Sequence, residues 1–250
     1  MRTGGFYKLF YLAVGLFLAL ADSPVCAEEI VSCKNQKMLS RNEAQDLQFK
    51  LQETYRTVRS IKAEFLQSSY LAALEVSETS SGKVAFAQPA QMRWDYQEPE
   101  AQVFLFAENT IWFYQQSQNQ VLIDSAKQVL LSDLPLAFLM GLGDVARDFS
   151  VLAACRRAEG LVLDLEPKKE GSQSKTGDEG ERGLKGFQIL VEAERTLPIG
   201  ARVVDLNGNV TTVLLRNLSI NEQLADTLFA ATFPKGTDIQ DRRKEKEETL

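Results

Sequence analysis

The sequence has 250 residues, a formal net charge of −6, three cysteines and no histidine. Without an imidazole the chain cannot carry a Ser-His-Asp triad, a Cys-His pair or a histidine-ligated zinc ion, so catalysis by carboxylates and non-catalytic binding remain. A composition of 44% hydrophobic and 25% charged residues indicates one folded domain. The excess of acidic residues argues against nucleic acid as a partner, because nucleic-acid-binding surfaces are rich in lysine and arginine.

Residues 1–27 have the three-part layout of a cleaved secretory signal peptide. Two cations precede an apolar run from Leu9 to Leu20, and small residues favour cleavage after Ala27. The run is shorter than the roughly 20 apolar residues that a membrane-spanning helix needs. A lipidated Cys26 is the competing interpretation, although Val25 stands where a smaller residue is expected. The segment therefore predicts export from the cytoplasm.

Cleavage after Ala27 leaves Cys33 and Cys155 as the cysteines of the mature chain. In an oxidising compartment two thiols usually pair, so the sequence predicts a disulfide between them. The alternative is two unconnected cysteines, one buried and one on a flexible leader over 28–39. A bridge of this span would restrict the unfolded chain by about 4 to 5 kcal/mol in the loop-entropy model.

The leader is followed by an amphipathic helix that begins at Ser40 and ends near Arg59. Ser40 and Glu43 have the spacing of a capping box, and apolar residues recur along one helical face. After Arg59 the hydrophobic period changes to two, which predicts an antiparallel meander. The predicted strands are Ile61–Phe65, Lys83–Phe86, Met92–Tyr96 and Thr110–Tyr114, with breaks at 80–82, Pro89, Pro99 and 108–109.

An all-apolar segment, 134–140, and a short helical segment, 144–149, interrupt the strands in mid-chain. Further on, Asn207-Gly208 predicts a type I′ hairpin, because both residues accept a positive φ. Segment 168–186 is predicted to be a flexible charged insertion, and 239–250 a disordered charged tail. The resumed strands are Val151–Cys155, Leu161–Leu165, Phe187–Ala193, Ile199–Asp205 and Val210–Leu218.

The candidate sites for chemistry are weak. Asp95, Glu98 and Glu100 cluster near aromatic residues as in a glycosidase, but the two glutamates flank Pro99 in a turn that should be exposed. Segment 205–209 departs from a calcium-binding loop, because its glycine stands at the fourth position instead of the sixth. The serine pairs have no base to activate them. The sequence therefore predicts no enzyme, no metal and no cofactor.

Four motifs in a fixed order carry a family resemblance. Residues 58–67, 81–86 with Pro89, 92–96 with Pro99, and 111–114 resemble the LolA-type periplasmic lipoprotein carriers, as do Phe229 and 233–238 at the carboxyl end. The resemblance implies a mainly β fold with a helical lid (α+β) in one domain over 40–238. Its implied form is an incomplete, strongly curved antiparallel β-barrel, covered by the N-terminal amphipathic helix and short mid-chain helices.

The resemblance also implies a function. Such a protein binds the acyl chains of lipoproteins in an apolar cavity and shuttles them from the inner to the outer membrane of a Gram-negative bacterium. The implied partners are outer-membrane-directed lipoproteins, an inner-membrane ATP-driven transporter that releases them and an outer-membrane acceptor, with the carrier itself a monomer. A periplasmic shuttle for another lipid or glycolipid, and a lipid-sensing interaction module on the same scaffold, are the other interpretations.

Aligning the motifs implies a set of site residues, for which an ordinary core role is the alternative. The family often has an arginine at the position of Gln88, where it hydrogen-bonds to the lid backbone. Gln88 can make one neutral bond there, weaker than a charged one. A slip of one residue would move a whole strand to the other face. The implied cavity residues are Phe65, Phe86, Met92, Trp94, Val103, Leu105, Leu136 and Leu139, and the implied lid contacts are Leu51, Tyr55 and Gln88.

Overall fold

The computed structural model describes residues 33–125, 144–168 and 184–243. Thirteen strands in these ranges form one curved, open sheet, which confirms the predicted mainly β fold with an incomplete barrel. The strands are β1 (Lys37–Met38), β2 (Ser60–Leu71), β3 (Val76–Ala87), β4 (Gln91–Glu98), β5 (Gln102–Ala107), β6 (Thr110–Gln115), β7 (Gln120–Ser125), β8 (Phe149–Arg156), β9 (Leu161–Pro167), β10 (Leu184–Val191), β11 (Pro198–Asp205), β12 (Val210–Ile220) and β13 (Asp238–Asp241).

Two antiparallel meanders make up the sheet. One runs from β2 to β7 and the other from β8 to β12, and β12 pairs with β2 to join them. The carboxyl end of the chain returns as β13, which pairs with β7 in parallel. Because β1 and β13 lie at opposite edges, the sheet does not close on itself.

Three short helical elements accompany the sheet in the described residues: α1 (Arg41–Thr57), α2 (Val145–Asp148) and a 3-10 turn (Asp226–Phe229). The predicted capping box begins α1, since the Ser40 backbone N–H donates to the Glu43 carboxylate at 2.7 Å and the Glu43 N–H donates to Ser40 Oγ. The Ser40 hydroxyl, which also donates to the Glu43 carboxylate at 2.6 Å, and the Ser40 backbone N–H lower the pKa of that carboxyl. The helix ends at Thr57, two residues before the predicted end.

Helix α1 packs on one face of the sheet, which we call the helix-covered face; the other is the opposite face. Strand register puts the residues of the helix-covered face in rows across the strands. One such row contains Ala63, Val84, Trp94, Phe104, Phe113 and Leu122, from β2 to β7. None of the described helices has the length and hydrophobicity needed to cross a membrane.

Several sequence-based boundaries are wrong. Strand β3 continues through the break predicted at 80–82, because Gly82 accommodates a register shift there instead of a turn. Strand β10 begins at Leu184, inside the predicted insertion over 168–186, and β13 continues to Asp241, inside the predicted tail over 239–250. The rest of both segments, the signal peptide and segment 134–140 lie outside the described residues.

The hairpin predicted at Asn207-Gly208 does connect β11 to β12, but it is not a type I′ turn. Only Gly208 has a positive φ, of 84°, and its N–H donates to the Asp205 carbonyl at 3.1 Å. This is a type I turn followed by a left-handed glycine. The Asp205 carboxylate accepts from the Asn209 N–H and side-chain amide, so the segment that resembles a calcium loop stabilises a turn.

The opposite face carries two clusters of its own. Near β1, Cys33 and Cys155 are joined by a disulfide, and Cys155 is packed with Val162, Leu190 and Leu214. Over the β2–β7 meander, residues 223–232, which we call the carboxyl-terminal segment, cover the sheet. This C-terminal cluster consists of Ala85, Ala87, Val103, Leu105, Trp112, Leu224, Leu228 and Phe229.

Candidate functional site

The helix-covered face of β2–β7 carries a dense set of aromatic rings, which we call the aromatic surface. The ring centroids of Phe65 and Trp94 lie 4.7 Å apart, and those of Phe65 and Tyr96 lie 4.9 Å apart, both edge to face. Phe86 meets Trp94 at 6.1 Å. The aromatic surface consists of Ala63, Phe65, Val84, Phe86, Met92, Trp94, Tyr96, Phe104, Phe106, Ile111, Phe113 and Leu122.

A glycine makes room for these rings. Gly82 lies between Phe65 on β2 and Tyr96 on β4, and a Cβ atom at this position would clash with the Asp95 carbonyl oxygen and approach the Phe65 ring. The missing side chain lets the ring of Phe65 reach Trp94 and Tyr96. Gly82 thus belongs to the site as a spacer, although its sequence neighbours look like a loop.

Four of the predicted cavity residues lie together on the aromatic surface: Phe65, Phe86, Met92 and Trp94. Val103 and Leu105 do not. Val103 pairs with Asp95 and Leu105 with Arg93, so both are on the opposite face, in the C-terminal cluster. Their assignment to the cavity is wrong by one residue of strand parity. Leu136 and Leu139 lie outside the described residues.

The residues that belong in place of Val103 and Leu105 are Phe104 and Phe106, which pair with Trp94 and Met92. Sequence reasoning missed them because the segment from Val103 to Ala107 is apolar at every position, since both faces of β5 are covered. Alternation then gives no information on parity. The pairing between β4 and β5 would have given the parity of β5. Deriving that pairing from the sequence requires the length of the turn around Pro99.

A second cluster, which we call the helix cluster, fills the same face under α1. Leu51 is fully buried in it, and Tyr55 packs at its margin, where burial raises the pKa of the phenol. Two side chains of α1 bind α2 directly: Gln48 Nε2 donates to the Val145 carbonyl at 2.9 Å, and Gln52 Oε1 accepts from the Val145 N–H at 2.8 Å. The helix cluster consists of Ala44, Leu47, Leu51, Val145, Phe149, Ala154, Leu163, Leu165, Phe187, Ile189, Val191 and Ala201.

Gln88 connects the two clusters. It lies at the corner between β3 and β4, next to Phe86, and its Nε2 atom donates to the Tyr55 carbonyl of α1 at 3.0 Å. Its backbone N–H donates to the Arg59 carbonyl at 2.8 Å. Tyr55 is in the last turn of α1, where carbonyl groups have no partner within the helix. The neutral bond expected of Gln88 is therefore present in the structure.

A cleft of about 560 Å³ lies on the opposite face, between strands β2–β4 and the carboxyl-terminal segment. It is lined by Lys62, Arg93, Asp95 and residues of 223–232. Arg93 Nε donates to both Asp95 carboxylate oxygens, at 2.9 and 2.8 Å, and Arg93 Nη1 donates to the Leu228 carbonyl. The hydrogen bond to Leu228 attaches the carboxyl-terminal segment to the sheet, and the ion pair with Asp95 orients the Arg93 guanidinium for it.

The acidic residues singled out from the sequence do not form a paired site. The Asp95 carboxylate is bound by Arg93, while Glu98 is exposed beyond the aromatic rings. Within the described residues no group of three acidic or cysteine side chains could hold a metal ion. The chemistry that the site offers is apolar contact with aromatic faces.

Comparisons with known proteins agree with this geometry. The family model described as "Outer membrane lipoprotein carrier protein LolA" matches residues 56–232. The chain is 30% identical over 196 residues to an outer-membrane lipoprotein carrier protein of Cupriavidus pinatubonensis, covering 76% of this chain and 84% of the relative. It is 30% identical over 162 residues to the protein of the same description in Chromobacterium violaceum, covering 65% and 72%.

The fold also matches a solved structure. An uncharacterized conserved protein of Thermus thermophilus superimposes with a TM-score of 0.51 at 14% identity, covering 80% of this chain and 99% of that one. At this identity the match concerns the fold alone. The curved sheet is therefore shared with a protein whose sequence is only 14% identical to this one.

Proposed function

The chain belongs to the LolA family of outer membrane lipoprotein carrier proteins, and from this premise we propose that it carries lipoproteins through the periplasm with their acyl chains against the aromatic surface. The observation that supports this most directly is the concentration of seven aromatic rings on one half of one sheet face. The described acidic groups offer no alternative chemistry there, and a carrier of this kind needs none.

Burial of hydrocarbon supplies the binding energy. An acyl chain is held in a membrane by about 0.8 kcal/mol for each buried methylene, so a carrier must offer a comparable apolar surface in water. Aromatic side chains suit this purpose, because each provides a large apolar area with only two side-chain torsions to fix. The ring of Phe65 already contacts the rings of Trp94 and Tyr96 edge to face in the structure.

A carrier must also release its cargo. Five of the seven rings of the aromatic surface are buried in this structure, Trp94 to 4% exposure, so an acyl chain replaces apolar contacts that already exist. The net free energy of binding is then the difference between the apolar contacts made with cargo and those made without it. This difference keeps binding reversible. We propose that an inner-membrane ATP-driven transporter supplies the cargo and an outer-membrane acceptor takes it, since the carrier has no energy source of its own.

The same proposal includes export through a cleaved signal peptide over 1–27 and action without enzymatic activity. The apolar run from Leu9 to Leu20 supports export. A carrier that works between two membranes must fold outside the cytoplasm, and the disulfide between Cys33 and Cys155 suits an oxidising compartment.

The two tryptophans of the chain provide the test, because they lie on opposite faces of the sheet. Trp94 is on the aromatic surface, and Trp112 is in the C-terminal cluster. Trp112→Phe leaves Trp94 as the only emitter, and Trp94→Phe leaves Trp112. Each variant is titrated with a synthetic diacylated lipopeptide whose acyl chains carry bromine, which quenches tryptophan fluorescence at short range.

We expect the lipopeptide to quench Trp94 strongly and Trp112 little. Equal quenching of both tryptophans, or stronger quenching of Trp112, would place the acyl chains elsewhere and contradict the proposal. Saturable quenching of Trp94 by brominated phospholipid but not by lipopeptide would favour a shuttle for another lipid. Transfer of a lipoprotein from spheroplasts to the soluble fraction by the purified protein separates a carrier from a lipid sensor.

A further inference from the structure

The helix-covered face changes from apolar to polar within one step along the strands. The row that contains Trp94 is apolar throughout. Two residues further along each strand, roughly 7 Å away, the next row begins with Phe65 and Gly82 and then becomes polar. We call its last four members the polar row: Tyr96, Gln102, Gln115 and Gln120, which are paired in register across β4–β7.

Two glutamines of the polar row are buried. Gln102 is 7% exposed and Gln115 is 8% exposed. The Nε2 atom of Gln102 is shielded from solvent and has no hydrogen-bond partner among the described residues. A buried amide left without a partner is unfavourable, whereas a leucine of similar size would fill the position without that cost. The position of Gln102 therefore suits a donor whose acceptor comes from outside the described residues, as the polar group of a ligand would.

The neighbouring polar groups are already paired with each other. Tyr96 donates from its hydroxyl to Gln67 Oε1 at 3.1 Å, and Gln67 Nε2 donates to Ser69 Oγ at 3.2 Å. Burial raises the pKa of the Tyr96 phenol, so this chain of hydrogen bonds is neutral at physiological pH. It holds Tyr96 beside Gln102 and leaves the glutamine amide for a ligand.

Charge indicates which kind of acceptor fits. The cations of strands β2–β7 are Lys62, Lys83 and Arg93, and strand parity puts all three on the opposite face. The described ionisable groups next to the polar row are acids: Asp238 accepts from Gln120 Nε2 at 2.9 Å, and Glu98 and Glu100 lie between Tyr96 and Gln102. A carboxylate or phosphate would meet these acids and none of the strand cations, whereas a neutral carbonyl oxygen would be accepted.

We infer that Gln102, with Gln115 beside it, binds a neutral carbonyl oxygen of the ester or amide that joins an acyl chain to its head group. The inference rests on the proposed function, because it takes the hydrocarbon to lie on the aromatic surface. The chain then lies along the strands, with its carbonyl end at the polar row. The boundary between the apolar row that contains Trp94 and the polar row then marks where the hydrocarbon ends and the ester or amide linkage begins.

The test compares two lipopeptides of equal chain length, one with ester-linked acyl chains and one with ether-linked alkyl chains that lack the carbonyl. Wild-type protein should bind the ester about two- to tenfold more tightly, which is the value of one neutral hydrogen bond. Gln102→Leu should lose this preference and bind the ether-linked compound as well as wild type does. Gln91→Leu is the matched control, since Gln91 begins β4 with the parity of Arg93, on the opposite face.

A spectroscopic readout separates binding from structure. The infrared stretch of a ¹³C-labelled ester carbonyl should shift to lower wavenumber on wild-type protein, and the shift should be absent on Gln102→Leu. Gln115→Leu provides a second variant with a partial loss. Equal affinity of wild type for ester and ether, or an ester preference that survives in both leucine variants, would overturn the inference.

Failure of the proposed function is distinguishable from failure of this inference. The same ester and ether pair is prepared as phosphatidylethanolamine. An ester preference seen with the phospholipid alone would retain the carbonyl site and reject lipoprotein cargo. Binding of both lipopeptides without any ester preference would retain the cargo and reject the carbonyl site.

Discussion

The two halves of the helix-covered face are packed with different side chains. Under α1 the helix cluster is mostly aliphatic, with one pair of rings, Phe149 and Phe187, at 5.1 Å. Over β2–β7 the aromatic surface contains seven rings and few aliphatic side chains. Both lie on the same sheet and continue into each other through β12, where Val213 and Leu215 pack against the aromatic surface.

The difference separates a fixed region from an exchangeable one. In the helix cluster the aliphatic side chains interlock, and Gln48 and Gln52 fasten α1 to α2 through directional hydrogen bonds. In the aromatic surface Phe86 and Tyr96 are only partly buried, and flat rings can exchange one apolar neighbour for another with little loss of torsional freedom. Stability is therefore concentrated in one half, and ligand exchange is expected in the other.

The largest expected effect is on the fixed half. Leu51→Ala should lower the free energy of unfolding by about 3–5 kcal/mol, because the side chain is fully buried and its removal leaves a cavity under α1. Urea denaturation followed by circular dichroism measures this change. Phe49→Ala, on the same helix but 61% exposed, is the control and should change the value by no more than about 0.5 kcal/mol.

The comparison between halves fails if Phe86→Ala destabilises the protein as much as Leu51→Ala. Phe86 is only partly buried, so its truncation should cost less stability and more affinity for acylated cargo. Two variants with the same stability loss would mean that both halves are ordinary core.

The second effect concerns the disulfide, which lies on the opposite face of the sheet from the helix cluster. Replacing Cys33 and Cys155 by serine should lower the free energy of unfolding by about 2–4 kcal/mol, the usual range for disulfides and below the roughly 4 to 5 kcal/mol of the loop-entropy model for a sequence separation of 122. In reductant the urea midpoint of wild-type protein should fall to that of the double variant. The midpoint of the double variant should not change in reductant. A wild-type midpoint that is insensitive to reductant would refute this prediction.

Local patterns made much of this architecture predictable. The capping box at Ser40 and Glu43 marks a helix start by contacts within four residues, and alternation in 92–96 shows that Met92 and Trp94 share a face. Family resemblance added the curved sheet, which no local signal contains. The helix start and the shared face of Met92 and Trp94 were predictable because neighbouring residues in sequence determine them.

Features that depend on distant parts of the chain were not predictable. Val103 and Leu105 were placed on the wrong face because the carboxyl-terminal segment, with Phe229, buries the opposite face of β5 and removes the alternation. The charge pattern of the tail concealed β13, whose pairing with β7 depends on the sheet edge being available. The polar row could not be read from sequence, since its members are brought together only by register.

The smallest expected effect is at Gln88, which links the two halves. Gln88→Ala removes the bond from Nε2 to the Tyr55 carbonyl but keeps the backbone bond to Arg59, so it tests the side chain alone. Because the bond is exposed, we expect a loss of only about 0.5–1 kcal/mol in the free energy of unfolding. Faster amide hydrogen exchange in the last turn of α1 should accompany this loss.

Charge at the same position gives a sharper contrast. Gln88→Arg keeps a donor and adds a positive charge at the carboxyl end of α1, which should slow exchange in that turn relative to wild type. Gln88→Glu keeps the shape but offers no donor and puts a negative charge against the Tyr55 carbonyl, so it should be worse than alanine. The expected order of protection is arginine, glutamine, alanine, glutamate. If the wild type and the three variants exchange alike, α1 is held by the helix cluster alone, and Gln88 does not couple the fixed half to the aromatic surface.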